Sequence, residues 1–286
     1  MARQFNITIV IKYVMLPSMS IIFIIIYLTL GAIVGTLAGL LGIGGGLLTV
    51  PALLIIFGYA GFDHSIIMHM AAGTSLMVMV ITTLSSAIGY YRANLITWHL
   101  TFIMIPGIVV GAWIGPRIAV HLSTEVLTIL VAAMASIAAI KMFIGKTQVN
   151  PEGHLPTPWI VMPVTLAIAV VSSMVGIGGG LFFVPFLTYS GVAIRRAIAV
   201  SASCTVPIAI VAAISFITAG KHTGAPLPAY CWGYVYLPAA VSIALTSMIG
   251  AQFGVRLNQK LHSDKVKKFF AIFMLVIAIK LVLIAI

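Results

Sequence analysis

The chain has 286 residues, of which 62% are hydrophobic and 7% charged. A soluble domain covers its surface with about 25% charged residues, so a soluble enzyme, a disordered chain and a nucleic-acid module are all excluded. Fifteen Lys and Arg stand against four acids, Asp63, Glu125, Glu152 and Asp264; the bases fall between apolar runs, as the positive-inside bias of a polytopic membrane protein requires.

Residues 1–16 carry Arg3 and Lys12 ahead of the first apolar run. No small-residue cleavage pattern follows, and Gly31–Gly46 continues the run, so a retained helix is expected rather than a signal peptide. A helix needs about 20 apolar residues to cross a bilayer, and the first is placed near 19–41. It runs into Gly42-Ile-Gly-Gly-Gly46, followed by a short apolar segment, 47–60, that holds Pro51. Each glycine costs a helix about 1 kcal/mol against alanine, so the cluster predicts a break. Irregular backbone inside a bilayer is tolerated only where protein or a water-filled cavity surrounds it. A new helix starting there leaves free N–H groups at the positive end of its dipole, and glycine lets a ligand approach them. Gly42, Gly44, Gly45 and Gly46 are therefore candidates for holding a small anion; the alternative is tight helix packing. Pro51 is expected early in the second helix, where a missing N–H matters least.

The next helix, 66–89, has His69 at its start and offers Thr74 and Ser75 as hydroxyl donors to an oxyanion, unless they bond back to helix carbonyls. A helix near 97–116 starts beside His99 and ends at Arg117, read as an interfacial anchor. The following one, 124–144, opens on Thr124-Glu125, an N-cap and a first-turn acid; Lys141 near its end snorkels to the interface. A polar, proline-bearing linker, 145–156, follows. Helix 157–175 leads into Gly176-Ile-Gly-Gly-Gly180 and a second short segment, 181–190, with Pro185. Gly176, Gly178, Gly179 and Gly180 are thus candidates on the same grounds. Helix 197–219, behind the basic pair Arg195 and Arg196, brings Ser201 and Ser203. Helices near 232–253 and 266–285 complete the chain, with Asp264 before the last and Lys280 inside it. Cys204 and Cys231 read as small apolar fillers. The seven histidines have no metal-ligand spacing, and no nucleophile–base pair or phosphate-loop lysine is present. No catalytic residue, metal or cofactor is expected.

The strongest organisational signal is duplication. Gly42–Pro51 and Gly176–Pro185 agree at eight of ten positions. Segment 70–75 parallels 198–203, and Gly111, Gly115, Arg117, Leu122, Glu125 and Lys141 match Gly250, Gly254, Arg256, Leu261, Asp264 and Lys280 at one offset. The units are 19–144 and 157–286, joined by the linker 145–156. The expected fold is an all-α integral membrane bundle of eight long helices and two short broken-helix segments. If the short segments cross, the halves are inverted 5+5 repeats; if they are re-entrant, the halves are parallel. Ten crossings gather Arg92, Lys141, Lys146, Arg195, Arg196, Arg256, Lys260, Lys265, Lys267 and Lys268 on one side, so the positive-inside rule favours inversion with both termini outside.

The stretch Gly31-Ala-Ile-Val-Gly-Thr-Leu-Ala-Gly-Leu-Leu-Gly-Ile-Gly-Gly-Gly-Leu-Leu-Thr-Val-Pro51, with a second copy at Ser172–Pro185, resembles the signature of the TauE/SafE, or sulfite exporter, family. The resemblance extends over about 30–286 and includes the duplication. It implies a permease for sulfur-containing anions such as sulfite, organosulfonates or related small oxyanions. Ser172-Ser-Met lacks the glycines that Gly35 and Gly39 supply in the first copy, so the two halves of the site are expected to be unequal.

The resulting expectation is a multi-pass protein of the cytoplasmic membrane that exports a small sulfur-containing anion by alternating access. Its partners are that anion and the lipid bilayer, with no nucleic acid; a homo-oligomer is compatible with such a bundle. Two other readings stay open: a permease for a carboxylate or metal ion, and a membrane scaffold that transports nothing.

Overall fold

The computed structural model describes residues 21–130, 132–133, 136, 157–221 and 227–260. Its helices are α1 (Ile21–Leu41), α2 (Gly46–Tyr59), α3 (Ile67–Arg92), α4 (Trp98–Ala119), α5 (Pro158–Val175), α6 (Gly180–Tyr189), α7 (Ile194–Lys221) and α8 (Leu237–Lys260). Residues 124–130 are also helical. Between α7 and α8 lies a two-stranded antiparallel hairpin, β1 (Cys231–Trp232) and β2 (Val235–Tyr236), with Cys231 opposite Tyr236. Helices α1, α3, α4, α7 and α8 are each long and apolar enough to cross a membrane. Most of α3 and α7 is buried, whereas α1 turns Ile21, Ile22, Ile25 and Ile33 outward.

Three local expectations are corrected. The helix read from 232 begins at Leu237, because Gly233, at φ +57°, turns the chain into the hairpin instead. The cap before Glu125 is Ser123, whose Oγ accepts the Val126 N–H at 3.4 Å; Thr124 instead donates to the Ser65 carbonyl at 3.1 Å. Pro51 lies six residues into α2, past the free N–H groups of the first turn, so it takes a donor from the Leu47 carbonyl rather than occupying a harmless place. Pro185 holds the same rank in α6. Lys141, Lys280, Asp264, the linker 145–156 and the helix near 266–285 lie outside the described residues.

Small residues set the helix pairings. Gly31, Gly35 and Gly39, one turn apart on α1, lie against the backbone of Ile243, Ser247 and Ala251 on α8. Gly250 and Gly254 of α8 lie in return against Ala32 and Thr36 of α1. Gly107, Gly111 and Gly115 of α4 face Met162, Leu166 and Val170 of α5 in the same manner. Without a hydrophobic drive between helices in lipid, such backbone-to-backbone approach is a main source of association. In both pairs the residue numbers rise together, so α1 runs parallel to α8, and α4 to α5. The missing glycines near Ser172 are thus a packing matter: in that pair α4 supplies them.

The centre is α3 against α7. Tyr90, near the end of α3, donates to the Gly39 carbonyl near the end of α1 at 2.5 Å, so these two helices run in the same direction. Helix α2 runs the other way: Gly46 sits beside Met79 at the middle of α3, and Gly58 beside Ile67 at its start. The chain therefore turns back at the glycines, and α2 is a half-length return. Helix α6 returns likewise: Gly179 lies near Ile208 of α7, and Val184 packs against the cluster that holds Ile198 and Ala199 near the α7 start.

Candidate functional site

The two glycine turns meet at the bundle centre. A Cβ at Gly46 would collide with the Gly176 carbonyl and lie 2.7 Å from that of Ile177; one at Gly180 would meet Ile43 Cα and the Gly42 carbonyl. The N-terminal ends of α2 and α6 thus converge on each other from opposite directions. Positive φ makes the first turn possible at Gly42 (+66°), Gly44 (+79°) and Gly45 (+88°), and the second at Gly176 (+76°) and Gly178 (+78°). Gly179 has an ordinary φ of −72°; there the ring of Phe183 excludes a side chain.

Backbone donors are concentrated here. The Gly42 N–H reaches Ala38 O at 2.8 Å, and the next turn closes only with Leu48 N–H on Gly45 O at 3.0 Å. On the other side Ile177 N–H reaches Ser172 O at 3.0 Å, and the next is Phe182 N–H on Gly179 O at 3.1 Å. Among the described residues no backbone bond uses the amides between these. Both helix dipoles add positive partial charge at the same place. All eight glycines of the two turns are buried, and the two described acids, Asp63 and Glu125, are exposed far along the chain at the bundle ends.

The nominated hydroxyls divide. Ser75 of α3 donates to the Gly176 carbonyl at 2.9 Å, and Ser201 of α7 donates to the Gly42 carbonyl at 3.1 Å. Each central helix thus pins the turn made by the other half of the chain. Thr74 is engaged elsewhere, accepting the Tyr236 N–H at 3.0 Å from the hairpin, and Ser203 bonds back to Ala199 O at 3.0 Å. Ser75 and Ser201 thus make like contacts, 126 residues apart, where the parallel of 70–75 with 198–203 has 128. Ala72 against Gly176 and Ile198 against Gly42 keep the same spacing.

Three side chains at the centre escaped the sequence reading. Met79 and Thr205 lie against both Gly44 and Gly178, and Thr83 lies against Gly44. Their signal was present as spacing: Met79 follows Ser75, and Thr205 follows Ser201, by one helical turn. Thr83 and Thr205 donate to Met79 O and Ser201 O within their own helices.

On the side where α3 begins, the hairpin is wedged between α3 and α7. Gly233 rests on the Ile217 backbone, and Tyr234 O lies 2.8 Å from a Cβ at Gly73. Buried His69 has Nε2 3.1 Å from Ala119 O, which makes that nitrogen the N–H donor, and its ring is 5.3 Å from that of Tyr234. Phe57, Phe62 and Tyr236 form an aromatic cluster beside it. His99 is exposed, and Arg117 stacks on Trp113 at 3.8 Å, as an interfacial anchor does. Cys204 is buried 3.7 Å from Met104 Sδ.

Comparison with known proteins is consistent in kind. The family model "Sulfite exporter TauE/SafE" matches residues 27–281. A probable membrane transporter protein of Haemophilus influenzae is 37% identical over 264 residues, 91% of this chain and 98% of the relative. One from Methanocaldococcus jannaschii is 29% identical over 234 residues, 81% of this chain and 85% of the relative. YdhB of Bacillus subtilis, also a probable membrane transporter, is 26% identical over 78% of this chain and 86% of its own length. No solved structure matches the chain. With helices long and apolar enough to cross a bilayer and the chain broken at its glycine motifs, this chain belongs to the TauE/SafE family of multi-pass membrane transporters, which are not enzymes.

Proposed function

We propose that the protein exports a small sulfur-containing anion, sulfite or an organosulfonate, across the cytoplasmic membrane by alternating access. The observation that carries this reading is the convergence of two helix N-termini and their spare amides on one buried point that, among the described residues, is free of acidic side chains. That environment suits an anion. Among the described residues it offers a cation glycine backbone, hydroxyls already bonded and a thioether, which disfavours a metal ion.

The bundle is read as two inverted units, 19–144 and 157–286. Support comes from the pairings, which exchange when the halves are exchanged: α1 with α8 mirrors α5 with α4, and α2 on α3 mirrors α6 on α7. The directions agree. Helix α3 starts at the hairpin end and α7 at the opposite end, where Arg92, Arg195, Arg196, Arg256 and Lys260 gather. The positive-inside rule makes that end cytoplasmic. Transport would rock one unit against the other about the paired turns, with Pro51 and Pro185 loosening α2 and α6.

One observation favours the scaffold reading: every glycine of the turns is closely covered. The transport reading treats this as an occluded arrangement. Reconstitution separates them. Proteoliposomes at a set potential should exchange labelled sulfite, sulfoacetate or thiosulfate, and Gly45→Val or Gly179→Val should abolish exchange while the protein remains folded. Undiminished exchange in both variants removes the turns from the mechanism; no exchange by the wild type supports the scaffold.

A further inference from the structure

Met79 lies at the point on which both turns converge. Met79 Cε lies 2.9 Å from the Cβ position of Gly44 and closer still to that of Gly178, and Met79 Sδ lies 2.6 Å from that of Gly46. Three glycines from two separate turns thus abut the thioether. Ser75, which pins the second turn, has its Oγ 3.9 Å from the same sulfur. Met79 is fully buried.

Nothing about the local helix requires methionine here. The corresponding place on α7 holds Thr205, whose Cγ2 is 2.9 Å from the Cβ positions of both Gly44 and Gly178. Around Gly44, Gly46 and Gly178, among the described residues, the thioether is thus the long side chain beside threonine methyls and bare backbone. Methionine is unbranched, has three side-chain torsions beyond the backbone, and changes rotamer readily. A β-branched residue would be stiff at χ1. A side chain that must leave and return on each cycle needs that freedom.

We infer that the Met79 thioether sits where the anion binds, and that the anion enters only as this side chain swings aside. This inference rests on the transport reading above and adds to it a movable plug that sets ligand size. The space released is that of a methylthiomethyl end, which accommodates a small oxyanion and rejects a bulky one. The same plug prevents the paired turns from forming an open pore between cycles.

The test uses full-length protein in proteoliposomes with two probes, labelled sulfite and labelled benzenesulfonate. Wild type is expected to exchange sulfite and to exclude benzenesulfonate. Met79→Ala should raise the benzenesulfonate-to-sulfite rate ratio at least tenfold. Met79→Leu, of similar bulk but branched, should keep the wild-type ratio at a lower sulfite rate. Independently, protein carrying methyl-labelled methionine in nanodiscs should show one methyl resonance, absent from Met79→Leu, that shifts on saturation with sulfite. If wild type exchanges sulfite but the ratio is unchanged in Met79→Ala and the resonance does not move, the plug is refuted and transport stands. If wild type exchanges none of labelled sulfite, sulfoacetate and thiosulfate and the resonance is unmoved, the transport reading fails and the plug falls with it.

Discussion

Ser75 and Ser201 show how much of the centre depends on single hydrogen bonds. Each hydroxyl satisfies a carbonyl, of Gly176 or Gly42, that the broken helix leaves without an N–H partner. Removing one leaves a buried acceptor unsatisfied, which costs about 1–3 kcal/mol. Ser75→Ala and Ser201→Ala should each lower thermal stability in detergent by that order, and each should slow exchange. Ser203→Ala is the control: its hydroxyl bonds back to Ala199 within its own helix, so it should change stability by less than about 0.5 kcal/mol. Equal losses at Ser201 and Ser203 would contradict the pairing of Ser75 with Ser201. Glycines can be sorted on the same scale. Gly61, at φ +76° with nothing within 4 Å of its Cβ position, should lose about 1–2 kcal/mol as alanine from backbone strain alone. Gly46→Ala instead drives a methyl into the Gly176 carbonyl and should abolish exchange.

Helix pairs respond to their glycines by position. Gly58 sits in α2 with only Ile67 Cδ1 near, 3.9 Å from its Cβ position, so Gly58→Ala should stabilise by about 0.5–1 kcal/mol. Gly35→Leu would force α1 off the Ser247 backbone, and Gly111→Leu would force α4 off Leu166. Overpacking of this kind costs about 1–3 kcal/mol, read as a lower melting temperature in detergent, with no requirement that the anion site be touched. Much of this was legible in the chain. Long uncharged runs located α1, α3, α4, α5 and α7 to within a few residues, and the two glycine clusters located both breaks. What escaped had physical reasons. The hairpin Cys231–Tyr236 is apolar and aromatic throughout, so periodicity could not separate it from the start of α8. Met79 looked like one more apolar residue in a buried helix, because its significance lies in facing two turns that are distant in the chain. The two-residue shift between Ser201 and Ser203 arose because a helix repeats every 3.6 residues, so identity in a short segment does not fix which face a hydroxyl occupies.

For the molecule as a whole, the crossing directions and the anion reading together fix the sign of one measurement. With the Arg92 and Arg256 end inside, the hairpin end faces out. In a background with Cys231→Ser, an impermeant maleimide should label His64→Cys in intact cells and Asn94→Cys only after permeabilisation; both positions are exposed. The described membrane-embedded residues include no buried charged side chain that could travel with the anion and cancel its charge. Movement of the anion should therefore carry net charge. An inside-negative potential then favours outward movement, by about 2.3 kcal/mol per charge per 100 mV, which corresponds to about a fiftyfold gradient for a monovalent anion. In proteoliposomes, a potassium diffusion potential that makes the interior positive should drive accumulation of labelled sulfite against its gradient, and reversing the potential should empty the vesicles. Potential-independent exchange that instead follows an imposed proton gradient would show an electroneutral cycle, and the membrane potential would then no longer explain export.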